Sequence, residues 1–86
     1  MQIAAIAPGH RLQFEESQNQ FVLLYPEGMV QLSGPAADVL FHCISPMAIT
    51  EIIAKVAEDY ETADSLEADI RAFLEDAHGR GWITLT

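Results

Sequence analysis

Leu-Leu-Tyr-Pro-Glu-Gly-Met-Val-Gln-Leu-Ser, residues 23–33, decides the fold of this chain. Leu23-Leu24-Tyr25 is an apolar run of strand-forming type. Pro26-Glu27-Gly28 has turn composition, because proline presets φ and glycine relaxes it. Met29-Val30-Gln31-Leu32 predicts a second, short strand, and Ser33 has the side chain of a helix N-cap. A short strand therefore ends a small sheet and runs directly into a helix.

Outward toward the N-terminus, residues 10–16 alternate. Arg11, Gln13 and Glu15 are polar, while Leu12 and Phe14 are apolar, the period of a half-buried strand. Ser17-Gln18-Asn19-Gln20 is turn-forming, and Phe21–Tyr25 follows as a nearly continuous apolar strand. The spacing predicts a three-stranded antiparallel meander joined by hairpins. Residues 1–9 are small and apolar and end in Pro8-Gly9. They predict a flexible N-terminal arm ahead of one domain over residues 10–86.

Outward toward the C-terminus, the period becomes helical. Ser33 caps a first helix that carries Gly34 and Pro35 in its first turn, where proline is tolerated. Ala37, Leu40, Phe41 and Ile44 form its apolar stripe, and Ser45-Pro46 breaks it. Ile49, Ile52, Ile53, Val56 and Tyr60 recur at three- and four-residue steps and predict a second helix. Asp64 with Glu67 has capping-box spacing, and Leu66, Ile70, Phe73, Leu74 and Ala77 mark a third helix. Gly79 and Gly81 suit its C-terminal cap, and Trp82-Ile83 returns to the core as a short extra strand. Three strands followed by three helices predict an α+β fold of winged helix-turn-helix-like type.

Composition narrows the function. Thirteen acidic residues face four basic ones, for a formal net charge of −9. Nucleic-acid binders neutralise phosphates with clustered Lys and Arg, whereas Arg11, Lys55, Arg71 and Arg80 are scattered. That charge argues against a DNA-binding winged helix and favours a basic or neutral partner. Cys43 is the single cysteine, so no intrachain disulfide forms. Neither a basic signal-peptide n-region nor a run of ~18 apolar residues is present, which predicts a cytoplasmic protein off the membrane.

Catalytic patterns are missing. His10, His42, His78 and Cys43 show no metal-ligand spacing, and His42 and Cys43 point about 100° apart on a helix. Ser17, Ser33, Ser45 and Ser65 fall at turns and caps, and no glycine-rich phosphate loop occurs. A chain of 86 residues also has little volume for a closed pocket. The expectation is a binding protein with no metal, no cofactor and no catalytic residue.

An outer strand of a meander is unpaired on one side and can template another strand. Met29, Val30, Gln31 and Leu32 include no lysine and no proline to blunt that edge. They are candidates for pairing with an incoming peptide, the alternative being a merely short edge. On the third helix, Asp69, Phe73, Asp76 and Arg80 fall on one flank beside the stripe of Ile70 and Leu74. An aromatic between two acids suits a peptide with apolar and basic residues. A solvated flank beside a buried Phe73 fits the spacing equally.

These residues resemble the PqqD family of pyrroloquinoline quinone (PQQ) biosynthesis. The resemblance lies in Arg11-Leu12, in Val22-Leu23-Leu24-Tyr25-Pro26-Glu27-Gly28-Met29-Val30 and in Leu32. It continues through Ala37, Leu40, Ile52-Ile53, Asp69-Ile70-Arg71-Ala72-Phe73-Leu74 and Gly81-Trp82-Ile83. Ser33-Gly34-Pro35 and Ser45-Pro46-Met47 depart from the family's usual residues at the first helix start and the first inter-helix turn. The resemblance implies a peptide chaperone, a recognition element for ribosomally made precursor peptides. It implies binding of the precursor peptide PqqA and its presentation to the radical S-adenosylmethionine enzyme PqqE. It further implies a cleft between the strand Met29–Leu32 and the helix of residues 65–78, with Met29, Val30, Gln31, Leu32, Asp69, Ile70, Phe73, Leu74 and Asp76 as peptide-binding residues. Two alternatives keep the fold: recognition of a different ribosomal peptide, and self-association into a homodimer through the open edge.

Overall fold

In a computed structural model of the chain, which describes residues 1–60 and 65–86, the elements follow in this order: β1 (Ile3–Ile6), β2 (Arg11–Glu15), β3 (Gln20–Tyr25), β4 (Gly28–Gln31), α1 (Gly34–Phe41), β5 (Met47–Ala48), α2 (Ile49–Asp59), α3 (Leu66–Gly79) and β6 (Ile83–Leu85). The α+β class and the antiparallel meander are as expected: β2, β3 and β4 form one sheet in sequence order. Asn19 takes the left-handed conformation (φ 52°) in the β2–β3 loop, a role for which asparagine is suited. The β3–β4 hairpin is tighter than its composition suggests. Tyr25 pairs with Gly28, so only Pro26 and Glu27 form the loop.

Helix ends follow local chemistry. Ser33 Oγ accepts from the Ala36 N–H (3.2 Å) and so caps α1. Gly81 has φ +80° beyond α3; its N–H donates to His78 O (3.0 Å), and that of Trp82 to Ala77 O (2.9 Å). This paired closure satisfies two carbonyls of the last turn and turns the chain back toward the core. The expected capping residue Asp64 lies outside the described residues.

The N-terminus differs from expectation. Residues 3–6 are a strand and not a loose arm: β1 is the centre of a second antiparallel sheet, ordered β5-β1-β6. Ile3 N–H donates to Thr86 O (2.8 Å) and Thr86 N–H to Ile3 O (2.9 Å), which joins the two ends of the chain. Ala4 is wholly buried and belongs to the hydrophobic core. The hydrophobic core includes Leu23, Leu32, Leu40, Ile52, Val56, Ile70, Leu74 and Ile83. Phe41 and Ile44, assigned to the α1 stripe by spacing, are instead exposed, because α1 ends at Phe41 and the chain turns away. Among the described residues no helix is long and apolar enough to cross a membrane.

Candidate functional site

β4 is an edge strand. It pairs with β3 only, in the register Val22↔Gln31, Leu23↔Val30 and Leu24↔Met29. Residues in an antiparallel ladder alternate between bonding the partner and facing away. Leu32 N–H donates to Phe21 O (3.1 Å), which fixes the phase. Gly28, Val30 and Leu32 thus turn their main-chain groups toward β3, while Met29 and Gln31 turn theirs outward. Among the described residues, no main-chain partner from another element meets Met29 or Gln31. Met29 is also 51% exposed.

Directly after β4 the chain enters a groove of about 310 Å³ between α1, the end of α2 and α3. Ser33, Pro35 and Val39 line one side, Val56 and Tyr60 the floor and end, and Asp69, Ile70 and Phe73 the α3 side. The lining is chiefly aliphatic and aromatic, with the Asp69 carboxylate at the rim. Tyr60 donates its phenol to Asp38 Oδ2, which ties the end of α2 to α1. That hydrogen bond, then burial and the charges of Asp38 and Asp59, raise the Tyr60 pKa above its ordinary value. Asp69 accepts from Ser65 Oγ (3.2 Å) and keeps an exposed carboxylate at the groove.

The expected site residues divide by position. Asp69, Ile70 and Phe73 meet at the groove, and Met29 and Gln31 present the free edge. Gln31 also donates its side-chain amide to Gln18 Oε1, across the meander. Val30 packs against the core and directs its main chain inward. Leu32 is buried in the core, its carbonyl held by Gln20 Nε2 (3.0 Å). Leu74, 1% exposed, lies toward the opposite side of α3, in a depression shared with Gln2, Ile49 and Leu85. Asp76 does not line the groove; it pairs with Arg80 (2.8 Å), whose guanidinium lies 5.4 Å from the Trp82 ring centre. The groove is walled by helices and reaches β4 through Ser33, not along the strand itself.

Pro35, Val39 and Tyr60 were not singled out as site residues by sequence reasoning. Val39 lies off the apolar stripe assigned to α1, and Tyr60 counted only as a core position of α2. Their convergence depends on how the helices pack, which spacing within each helix does not reveal.

The model of the family described as Coenzyme PQQ synthesis protein D (PqqD) matches residues 20–83. A relative from Methylococcus capsulatus, named PqqA binding protein, is 41% identical, with 91% of this chain and 83% of the relative aligned. Another of the same name, from Azotobacter vinelandii, is 42% identical, with 96% of this chain and 90% of the relative aligned. Among solved structures, the fold is similar to the solution NMR structure of the PqqD truncation of Methylobacterium extorquens PqqCD. That truncation is described as a functional, stand-alone recognition element for ribosomally synthesised, post-translationally modified peptides. The TM-score is 0.77 at 26% identity, covering 95% of this chain and 88% of that one.

Proposed function

The chain belongs to the PqqD family, and on that basis we propose that it is a non-catalytic carrier of the precursor peptide PqqA. The peptide adds a strand to the open edge of β4 and is presented to the radical S-adenosylmethionine enzyme PqqE. The observation that carries this proposal is the outward-facing main chain of Met29 and Gln31 on the strand that leads, through Ser33, into an apolar groove. Each of those residues brings one N–H and one C=O, and a guest strand in matching phase satisfies both. Each such bond contributes roughly 0.5–1.5 kcal/mol net, so the edge alone gives register more than affinity.

Affinity and choice of peptide come from the groove. An apolar guest side chain passing Ser33 enters the space between Val39, Ile70 and Phe73. Asp69 at the rim attracts a basic neighbour of that side chain. The carrier itself needs no cofactor in this role; the radical chemistry belongs to the enzyme.

Titration of isotope-labelled protein with synthetic PqqA tests the proposal. The amide resonances of Met29, Gln31, Asp69 and Phe73 are expected to move most. Saturating peptide that leaves those four unchanged overturns the proposed site. Co-purification of the carrier, peptide and PqqE tests presentation, and a carrier–peptide pair that never associates with the enzyme overturns that part alone.

A further inference from the structure

Residues 1–14 and 39–50 contain no aspartate or glutamate, in a chain that carries thirteen. The fold brings these two segments together. Ile6 N–H donates to Cys43 O (2.8 Å), and β1 pairs with β5 through Ile3↔Ala48 and Ala4↔Met47. At their junction a second groove opens, bounded by residues 6–10, Arg11, Leu12 and Ile44. Its volume, about 310 Å³, matches that of the guest groove, but its charge does not: Asp69 lines the guest groove, whereas no acidic residue lines this one.

The walls are rigid and apolar. Ile44 is 58% exposed and Phe41, three residues earlier, 55%. Neither hangs on a loose loop. Cys43 N–H donates to Leu40 O (2.9 Å), and its carbonyl holds Ile6. On the opposite wall Gly9 takes φ +80°, His10 N–H returns to Ala7 O (3.1 Å), and the His10 ring stacks on Tyr25 at 6.0 Å. Large apolar side chains clustered and fixed in water mark a contact surface. Arg11 is exposed and donates to Gln13 Oε1 (2.9 Å); it belongs to no ion pair among the described residues. This face adjoins the C-terminal end of α1, while the guest groove begins about 12 Å away at the N-terminal end, with Ser33 and Pro35. β2, the source of Arg11 and Leu12, is the strand of the meander farthest from β4.

We propose that this face docks the loaded carrier on the modifying enzyme. It receives an apolar side chain of the enzyme against Ile44 and Leu12 and an adjacent carboxylate on Arg11. The inference rests on the reading of the chain as a carrier that presents its guest. Charge selects the partner: a net charge of −9 repels an acidic surface elsewhere, while here a carboxylate meets a guanidinium free of ion pairs and no acid. A basic guest and an acidic patch of the enzyme are thereby sorted to different faces, and the enzyme takes hold without displacing the peptide.

Hydrogen-exchange mass spectrometry of the unmodified protein with PqqA, before and after addition of PqqE, tests this. Exchange is expected to slow over residues 6–12 and 41–46 when the enzyme is added. A ternary complex that leaves both segments unchanged overturns the docking face and leaves the carrier reading standing. A loaded carrier that never associates with the enzyme overturns presentation and this inference together. Slowing there that grows with concentration in the carrier alone identifies a second copy as the occupant and overturns it too. Arg11→Glu and Ile44→Ser, both at exposed positions, are each expected to weaken enzyme affinity at least about tenfold with PqqA affinity unchanged by calorimetry. Enzyme affinity equal to that of the unmodified protein in both variants, or a parallel loss of PqqA affinity, overturns the inference.

Discussion

Tyr60 at the end of α2 donates its phenol to Asp38 in α1, and the bond stands at the end of the groove. It ties the end of α2 to α1. Tyr60→Phe keeps the ring and removes the bond. Because the pair is partly solvated, the expected loss of stability is no more than about 1 kcal/mol by urea unfolding. In spectrophotometric titration the Tyr60 phenol should ionise above the ordinary tyrosine range. Asp38→Asn should lower that value, since it removes the charge and leaves a weaker, neutral acceptor for the phenol proton.

Proline substitutions on β4 should separate binding from folding. At Gln31, proline deletes an outward N–H on an edge strand, where proline is tolerated. Peptide affinity by calorimetry should fall at least about tenfold, the equivalent of one to two net hydrogen bonds. At Val30, proline deletes an N–H directed at β3 and should lower stability by about 1–3 kcal/mol. Equal affinity in Gln31→Pro and the unmodified protein argues against strand addition.

Truncations on α3 should likewise diverge. Leu74 is enclosed in the core, and Leu74→Ala should cost about 2–5 kcal/mol of stability. Phe73 lines the groove and is only partly buried, so Phe73→Ala should reduce peptide affinity more than stability. Asp69→Asn should weaken binding of a lysine-bearing peptide and flatten its salt dependence. Calorimetric titrations at low and high salt check the last point.

Cys43 is fully enclosed, and burial pushes its thiol pKa up to about 11 from an ordinary value of 9.0. The folded state therefore holds the proton more tightly than the unfolded chain. Its contribution is intact below about pH 8.5 and declines as pH rises through 9 toward 11, by roughly 2–3 kcal/mol in total. Urea unfolding across that range should show the decline, and Cys43→Ala should reduce its slope. Thiol reagents at neutral pH should react slowly until the protein unfolds.

Local patterns made the meander and the helices legible. Alternation at Arg11–Glu15, the Ser33 cap and the stripe from Ile49 to Val56 each depend on neighbours a few positions apart. β1 was not legible, because its small residues do not alternate and its partners, Ala48 and Ile83, are distant in sequence. The assignment of Val30 to the free edge has a sharper cause. A three-residue turn, Pro26-Glu27-Gly28, would pair Tyr25 with Met29 and send Val30 outward. The actual two-residue loop shifts the pairing by one and exchanges the roles of Val30 and its neighbours. On α3, Asp69, Ile70 and Phe73 could be grouped by helical period, but the separate positions of Leu74, in the core, and Asp76, at the surface beside Arg80, depend on how the other elements pack around the helix.

The mutual hydrogen bonds of Ile3 and Thr86 have a consequence for tethering. They place the entry and exit of the polypeptide side by side, next to β6 and the Leu74 side of α3. The groove opens on the Phe73 side of the same helix. A polypeptide appended at either end leaves from a common point on the Leu74 side of α3 and does not pass in front of the groove. Such an anchorage makes the unit portable: spliced onto a larger enzyme through one end or both, it would leave the groove uncovered.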